Sequence, residues 1–280
     1  MNHFKPAHQA FTKQSVEFDE IDEKSPIIKW MREQVYKHVF KVFPKNAKVV
    51  ELNAGTGIDA FTFAQKGYLV LATDASEGML QQLNHKIKTT EVKGSVRSKY
   101  LPFENFNELE EGGFDAVFSD FGGLNCLENL TKITHHLPNV LKPGAVVTWV
   151  LISPYCIWEW LFALKGKFGL AFRRLKKRNV KAHLEGVEFA TYFFSPNDVK
   201  KAFGQDFKVI ESAQTSLESL RDQGLHICGH NFRRFDYKYL ITRFPTLNPW
   251  VIIDTLELSI IAFPLERSHK LNKDYKLSEY

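Results

Sequence analysis

The sequence predicts an α/β fold, with a mostly parallel sheet and helices on both of its faces. Short apolar runs, typical of buried strands, lie at 48–52, 68–74, 114–121 and 145–153. Amphipathic segments with helical spacing separate them, at 58–67, 76–88 and 127–141. A weaker apolar patch around Tyr100 and Leu101 predicts one more strand. Because parallel strands need a crossover segment between them, this alternation predicts a parallel sheet that is buried on both sides.

Further helical and strand patterns flank the alternating region. Apolar residues recur at three- and four-residue steps over 25–43, which predicts a helix that Pro44 ends. A short helix is predicted to begin at Ser195, whose hydroxyl can cap it, with Pro196 at its first position. The remaining predicted elements are an apolar segment at 157–166, strands at 187–194 and 207–214, a helix at 250–263 and an edge strand at 274–280.

The composition is that of an ordered protein. Of 280 residues, 44% are hydrophobic and 14% aromatic, whereas disordered chains contain few aromatic residues. The net charge of +5 is too mild to indicate a class of partner. The sequence has neither an apolar run long enough to span a membrane nor the apolar stretch of a signal peptide at its start. Cys126, Cys156 and Cys228 are too few for a disulfide framework, so we expect a reducing, cytoplasmic environment.

A glycine-containing turn follows the first predicted strand. Glu51 lies near the end of that strand, Gly55 and Gly57 form the turn, and a helix begins at once. Glycine permits positive φ and close approach of a ligand to the main chain, and the helix N-terminus adds unpaired N–H groups. Asp74 stands at the end of the second strand, where a carboxylate can accept both hydroxyls of a ribose. The turn and the acid together predict a site for a nucleoside cofactor.

Two kinds of nucleoside cofactor fit this turn. Gly55-x-Gly57-x-x-Ala60 satisfies the permissive dinucleotide fingerprint, which would make the protein an NAD(P)-dependent oxidoreductase. Read in another frame, Glu51 and the glycines resemble the first motif of class I S-adenosylmethionine-dependent methyltransferases. Three later segments resemble further motifs of that family and follow the family's order, at 74–80, 114–120 and 141–144. The Tyr-x-x-x-Lys pair of short-chain dehydrogenases does not occur, so the methyltransferase interpretation is favoured.

Within that family the chain resembles the bacterial small-molecule branch related to the ubiquinone and menaquinone biosynthesis methyltransferases. The resemblance implies a Rossmann-like, seven-stranded sheet with a substrate-covering insertion. It also implies S-adenosyl-L-methionine as cofactor and a small acceptor, with lipophilic molecules the first to consider. Asn53 stands where the family has the first glycine of its turn. Asn tolerates a left-handed backbone, so the turn is expected to form, but the substitution keeps open a non-catalytic module that only binds the cofactor.

The resemblance also assigns site residues. The implied cofactor contacts are Phe18, Arg32, Glu51, Asn53, Ala54, Gly55, Thr56, Gly57, Asp74, Ala75, Met79, Asn105, Asp120 and Phe121, with Glu104 as an alternative to Asn105 at the adenine edge. His183 and Tyr192 lie in the segment expected to cover the site and are weak candidates for a catalytic base. No metal is expected, because His226, Cys228 and His230 lack a fourth ligand at suitable spacing.

These assignments divide the chain into four regions. They are an N-terminal helical cap (1–46), a cofactor-binding core (47–153), a lid or substrate insertion (154–206) and C-terminal strands with a helical insertion (207–280). The aromatic and basic stretch 155–181 is either a core helix with a solvated face or a lid that also contacts anionic lipid at a membrane surface. Nucleic acid is disfavoured as a substrate, because the fourth motif continues as Asp120-Phe121-Gly122-Gly123 rather than Pro-Pro-aromatic.

Overall fold

The computed structural model describes residues 5–160, 162–163, 166–210, 227–229 and 252–254. The chain divides into two compact units, residues 1–209 and 210–280. The first unit holds the predicted sheet, the glycine turn and every predicted cofactor residue. Within the described residues, no helix combines the length and the apolar character needed to cross a membrane.

Three helices precede the sheet: α1 (Lys5–Gln14), α2 (Phe18–Lys24) and α3 (Pro26–Val42). The Ser25 hydroxyl accepts a hydrogen bond from the Ile28 N–H, and Pro26 occupies the first turn of α3, so both local signals favour a helix start. The helix predicted over 25–43 is therefore confirmed. Pro44, two residues after α3, prevents its continuation.

Among the described residues of the first unit, the central sheet has five strands: β1 (Lys48–Glu51), β2 (Leu69–Asp74), β3 (Ser95–Tyr100), β4 (Phe114–Ser119) and β5 (Leu141–Trp149). All are parallel, in the order β3-β2-β1-β4-β5. The predicted parallel sheet is thus confirmed. The patch at Tyr100 and Leu101 marks only the end of β3, whose polar residues Arg97 and Lys99 concealed the rest of the strand.

Both faces of this sheet are covered. Successive residues of a strand point to opposite faces, and Val49 packs in a cluster with Val39 of α3 and with residues of the helices α4 (Ile58–Gln65) and α5 (Glu77–Thr89). Val50 packs in the opposite cluster, against the short helices α6 (Thr131–Thr134) and α7 (Leu137–Val140). One helix was predicted over 127–141, but two single turns form there. Pro138 lacks an N–H and its ring would collide with the Thr134 carbonyl.

After β5 the described residues include the short helices α8 (Ile157–Trp160) and α9 (Phe168–Ala171), and then an antiparallel hairpin. Strands β6 (Val180–Leu184) and β7 (Val187–Thr191) are joined by Glu185 and Gly186, both at positive φ, as a tight hairpin turn requires. The predicted strand at 187–194 corresponds to β7, whereas β6 was not predicted. The hairpin packs on α1, where Phe11 and Phe189 have ring centroids 6.1 Å apart.

Helix α10 (Pro196–Phe203) follows with the predicted Ser195 cap, completed by Asp198 into a reciprocal capping box. The strand predicted at 207–214 is wrong for 207–210, which form no strand, and 211–214 lie outside the described residues. In the second unit, β8 (Ile227–Gly229) pairs in parallel with β9 (Ile252–Asp254). The helix predicted at 250–263 is therefore wrong at 252–254, where β-branched Ile252 and Ile253 favour a strand. The predicted strand at 274–280 lies outside the described residues.

Candidate functional site

Three predicted site residues lie side by side at the carboxyl edge of the sheet. Glu51 of β1 is in register with Ala72 of β2 and with Phe118 of β4. Asn53, Asp74 and Asp120 each come two residues after one of these partners. They therefore stand at one level across β1, β2 and β4. The chain leaves β1 for β2 on one side and returns to β4 on the other, so this level lies at the topological switch point, where open α/β sheets bind their ligands.

The glycine turn adopts the left-handed backbone that its sequence predicts. Asn53, Gly55 and Gly57 have φ values of 47°, 56° and 86°. The turn is closed by the Gly57 N–H, which donates to the Ala54 carbonyl at 2.9 Å, and is joined to β2 by the Ala54 N–H, which donates to the Thr73 carbonyl. A side chain on Gly57 would overlap Leu83 of α5. Gly57 is thus required both by its backbone angle and by the packing of α5.

Asp74 is fixed by main-chain hydrogen bonds from both sides of the site. Its Oδ2 accepts from the Gly55 N–H at 2.8 Å and its Oδ1 from the Ser76 N–H at 2.7 Å. Burial raises the pKa of Asp74, and hydrogen bonds from Ser76 and Gly55 oppose that rise. Ser76 caps α5 by accepting from the Met79 N–H. The carboxylate therefore joins the glycine turn to the start of the next helix.

Two residues of helix α2, the predicted Phe18 and its neighbour Asp19, contact the turn. The Phe18 ring comes within 3.8 Å of the position that a Gly55 Cβ would take, and the Met79 sulfur within 3.9 Å. Asp19 accepts a hydrogen bond from the Thr56 hydroxyl and pairs with Lys86 of α5 at 2.5 Å. The structure therefore brings Phe18, Thr56 and Met79 to the turn, with Phe18 and Met79 beside Gly55. Ala75, the remaining predicted residue of this group, is half-buried at the start of α5.

The Arg32 side chain forms ion pairs and a ring contact near the end of β4. Its guanidinium pairs with Asp59 in the first turn of α4 and with Asp22 of α2. It also lies over the Phe121 ring, 4.6 Å from the ring centroid. Tyr36 donates to the same Asp59 oxygen at 2.6 Å. These contacts tie α2 and α3 to α4 and to the loop after β4, and the cofactor contact expected of Arg32 stays a prediction.

Two buried carboxylates lack hydrogen-bond partners at one oxygen each. Glu51 and Asp120 are only 2% and 4% exposed. Among the described residues, Glu51 Oε2 and Asp120 Oδ2 have no partner, although Asp120 Oδ1 accepts from the Phe121 N–H at 2.7 Å. Burial, then the charge of Asp59, raises the pKa of Asp120 to about 7, and the same two causes raise that of Glu51 well above its ordinary value. A bound ligand can supply the missing partners.

Asn53 turns its side chain toward the fourth strand. Its Nδ2 donates to the Asp120 carbonyl at 3.0 Å, and its Oδ1 accepts from the Ser119 hydroxyl at 2.6 Å. The residue that replaces the expected glycine therefore joins the ends of β1 and β4. This role explains why an amide is tolerated at a position with positive φ.

Glu104 and Asn105, the two residues predicted for an adenine edge, differ in their surroundings. Asn105 donates to Glu108 at 2.8 Å in an exposed position. Both Glu104 carboxylate oxygens are buried and, among the described residues, have no hydrogen-bond partner. His8 of α1 lies close enough to Glu104 and Asp74 for their charges to oppose the fall in its pKa that burial causes. Sequence reasoning missed His8, because nothing in its polar surroundings marks it.

The two candidate bases, His183 and Tyr192, lie on β6 and just after β7. The His183 side chain is 68% exposed on β6, and its Nε2 lies 3.2 Å from a Glu188 carboxylate oxygen. The Tyr192 main chain is tied to Asn125, whose Nδ2 donates to the Tyr192 carbonyl at 2.6 Å. Burial raises the pKa of the Tyr192 phenol, followed by the charge of Glu128. The structure thus gives neither side chain a described contact with Asp74 or Asp120.

The stretch 155–181 combines ion pairs with exposed apolar side chains. Arg173 and Arg174 both pair with Glu159, and Lys177 pairs with Asp198. Apolar side chains exposed between these charges belong to Phe168, Leu170, Phe172 and Leu175. Contact of this stretch with anionic lipid stays a prediction. As for metals, the described part of the chain holds no group of three or more His, Cys, Asp or Glu suited to bind an ion, and His226 and His230 lie outside it.

The region that contains this site is similar in sequence to known proteins. Residues 49–144 match the family described as methyltransferase domain. The chain is 25% identical over 145 residues to YqeM of Bacillus subtilis (strain 168), a protein named as a methyltransferase, which covers 51% of this chain and 55% of that protein. It is 33% identical over 98 residues to the demethylmenaquinone methyltransferase of Clavibacter sepedonicus, over 35% of this chain and 38% of that protein. The chain thus spans about half the length of the first relative and less of the second.

A solved S-adenosylmethionine-dependent methyltransferase from Clostridium acetobutylicum ATCC 824 is similar at 16% identity, with a TM-score of 0.47, over 68% of this chain and 86% of that chain. The segment that matches the family, 49–144, contains the glycine turn, Asp74 and Asp120. Residues 49–144 thus match a methyltransferase domain, and they run from β1 into β5 of a parallel, Rossmann-like sheet.

Proposed function

We propose that this protein transfers the methyl group of S-adenosylmethionine to a small-molecule acceptor. The observation that carries the proposal is the register at the sheet edge. It sets the glycine turn, Asp74 and Asp120 at one level across the switch point. One acid is thus available at each end of a ligand that lies across the ends of β2, β1 and β4. The family match over 49–144 supports the same cofactor.

The residues present fit S-adenosylmethionine. A carboxylate accepts about four hydrogen bonds, so Asp74 keeps capacity for ribose hydroxyls beyond its bonds to Gly55 and Ser76. The buried, unpartnered oxygens of Glu104 suit the adenine amino group. Phe18 and Met79 provide apolar contacts beside Gly55. When bound, the cofactor supplies a methyl carbon already activated by a sulfonium.

The chain's own contribution is alignment and exclusion of water. Holding two reactants in line can supply roughly 7–11 kcal/mol of a reaction barrier. Helix α2 is well suited to this role, because Phe18 covers Gly55 and Asp19 bonds to both Thr56 and Lys86. We propose a small acceptor because α1, which packs on the hairpin β6–β7 through Phe11 and Phe189, also reaches this edge, where the Thr12 and Ser76 hydroxyls are 2.9 Å apart.

The test is isothermal titration with S-adenosylhomocysteine, with NADH as the competing hypothesis. We expect the wild type to bind S-adenosylhomocysteine at micromolar strength, about −8 kcal/mol. Asp74→Ala should weaken binding at least tenfold, roughly the value of a hydrogen bond to a charged group. Asp206→Ala, at an exposed position, is the matched control and should bind as the wild type does. Binding of NADH in place of S-adenosylhomocysteine would refute the proposal and revive the oxidoreductase.

A further inference from the structure

We infer that Asp120 binds the methyl acceptor and that this acceptor is an amine. The inference rests on the proposed function and narrows it to a substrate class. It depends on three observations: the place of Asp120 across the sheet, its unpartnered oxygen, and the charges around it.

Asp120 lies at the opposite end of the site from the ribose acid. The sheet order is β2-β1-β4, so Asp74 and Asp120 are separated by two strand spacings, about 10 Å. A cofactor whose ribose is held by Asp74 spans this distance with its methionine portion. Asp120 therefore stands where the reacting carbon and its nucleophile meet.

One atom of Asp120 has unused hydrogen-bonding capacity. Its main-chain carbonyl accepts from Asn53, and its Oδ1 accepts from the Phe121 N–H. Its Oδ2 is buried and has no partner among the described residues. An unpaired buried carboxylate oxygen is costly, whereas a ligand N–H would satisfy it. Hydrogen bonding alone would allow an alcohol as well as an amine.

The surrounding charges favour the amine. The groups whose charges act on Asp120 are Asp59 of α4, Asp22 of α2 and Arg32 of α3, and the charge of Asp120 acts in turn on buried Glu51 of β1. Arg32 gives its two terminal nitrogens to Asp59 and Asp22. The described residues around Asp120 thus hold more carboxylates than cations. A cationic ammonium would correct this imbalance and a neutral alcohol would not.

The same carboxylate can accept the proton that an ammonium must lose before its nitrogen can be methylated. The acceptor arrives as an ammonium and gives one proton to Asp120 Oδ2, which frees the nitrogen lone pair. The nitrogen–carbon bond to the methyl group then forms as the carbon–sulfur bond breaks, and that electron pair stays on sulfur. Asp120 returns its proton to water. A base whose pKa is about 7 is matched to this task near neutral pH.

The test measures binding, so that it does not require the natural acceptor. The protein is saturated with S-adenosylhomocysteine and titrated with benzylammonium or with benzyl alcohol, which has the same shape without the charge. We expect the wild type to prefer benzylammonium by about tenfold or more, as expected for a charge-assisted bond. Asp120→Asn, saturated with S-adenosylhomocysteine in the same way, should abolish the preference, which is a ratio of two affinities measured on one protein. Asp115→Asn, at the other end of β4, should keep the preference.

A second measurement uses the wild type alone, in case Asp120→Asn does not fold. Between pH 8 and pH 6 the affinity for benzylammonium should fall about tenfold, because Asp120 becomes protonated. The inference is overturned if benzyl alcohol binds as well as benzylammonium, if benzylammonium fails to bind the saturated protein, or if its affinity does not change with pH. It is also overturned if the saturated Asp120→Asn variant keeps the preference for benzylammonium. Failure of the wild type to bind S-adenosylhomocysteine would refute the proposed function itself.

Discussion

Asn53 and Gly123 share one space at the sheet edge, because a Cβ atom on Gly123 would overlap the Asn53 side chain. Asn53 cannot move aside freely. Its amide is held by the Ser119 hydroxyl on one side and by the Asp120 carbonyl on the other. The glycine expected in the turn has thus been exchanged for an amide, and the loop after β4 provides a glycine opposite it.

Gly123→Ala is therefore expected to destabilise the protein by about 2 kcal/mol, the usual cost of overpacking a tight site. Asn53→Gly in the same chain should recover most of that loss, since it removes the side chain that the added methyl group would strike. The measurement is a double-mutant cycle by urea unfolding. Gly169→Ala is the control, because a Cβ there meets nothing within 4 Å. Additive effects of the two substitutions would contradict the shared-space interpretation.

Arg32→Met is expected to destabilise the protein by about 3–5 kcal/mol. The substitution leaves Asp59 and Asp22 buried without their cation, and a broken buried ion pair costs this much. Thermal or urea unfolding measures the change. Lys24→Met is the matched control, because the Lys24–Glu20 pair is exposed and such pairs contribute about 0–1 kcal/mol. Equal effects of the two substitutions would show that Arg32 does not tie α2 and α3 to α4.

Asn125→Leu is expected to cost about 3 kcal/mol. The Asn125 side chain donates to the Ile152 and Tyr192 carbonyls and accepts from the Ile152 N–H. Leucine of similar size leaves these three main-chain groups, whose hydrogen bonds are partly buried, without a side-chain partner, at about 1–3 kcal/mol for a group that finds no water. Amide hydrogen exchange at Ile152 should accelerate in the variant. Unchanged exchange there would mean that Asn125 does not hold the end of β5.

Local signals account for what could be predicted from the sequence. The parallel strands and the glycine turn follow from short-range patterns: apolar runs, helix caps and residues that permit positive φ. The polar strand β3 and the strand β6 escaped this reasoning, because it relied on continuous apolar runs, which Arg97, Lys99 and Lys181 interrupt.

The contacts within the site could not be predicted in the same way, because its partners are distant in sequence. Asn53 bonds to Ser119, 66 positions away, and Arg32 bonds to Asp59, 27 positions away. The choice between Glu104 and Asn105 depends on which neighbour in a single 3₁₀ turn faces inward. His183 and Tyr192 are candidate bases because of their side-chain chemistry alone. That chemistry does not specify where the hairpin β6–β7 and the residues after it lie.

Stability should depend on pH through Asp120 with a sign opposite to that of an ordinary ion-paired carboxylate. The folded protein keeps a proton on Asp120 up to about pH 7, whereas the unfolded chain releases it near 3.8. Between these values the native state binds more protons, so this contribution is fully present at low pH and is lost as the pH rises through 7. From pH 5 to pH 8 the wild type should therefore lose about 3 kcal/mol relative to Asp120→Asn.

Asp198→Asn is the control for this pH dependence. Hydrogen bonds from Ser195, then Lys177, lower the pKa of Asp198 to about 2. Its stabilising contribution is present above the ordinary pKa and is lost only as the pH falls through about 2. Asp198→Asn should thus lower stability by the same amount at pH 5 and at pH 8. Urea unfolding at several pH values measures both variants, and parallel curves for the wild type and Asp120→Asn would show that Asp120 is ionised throughout.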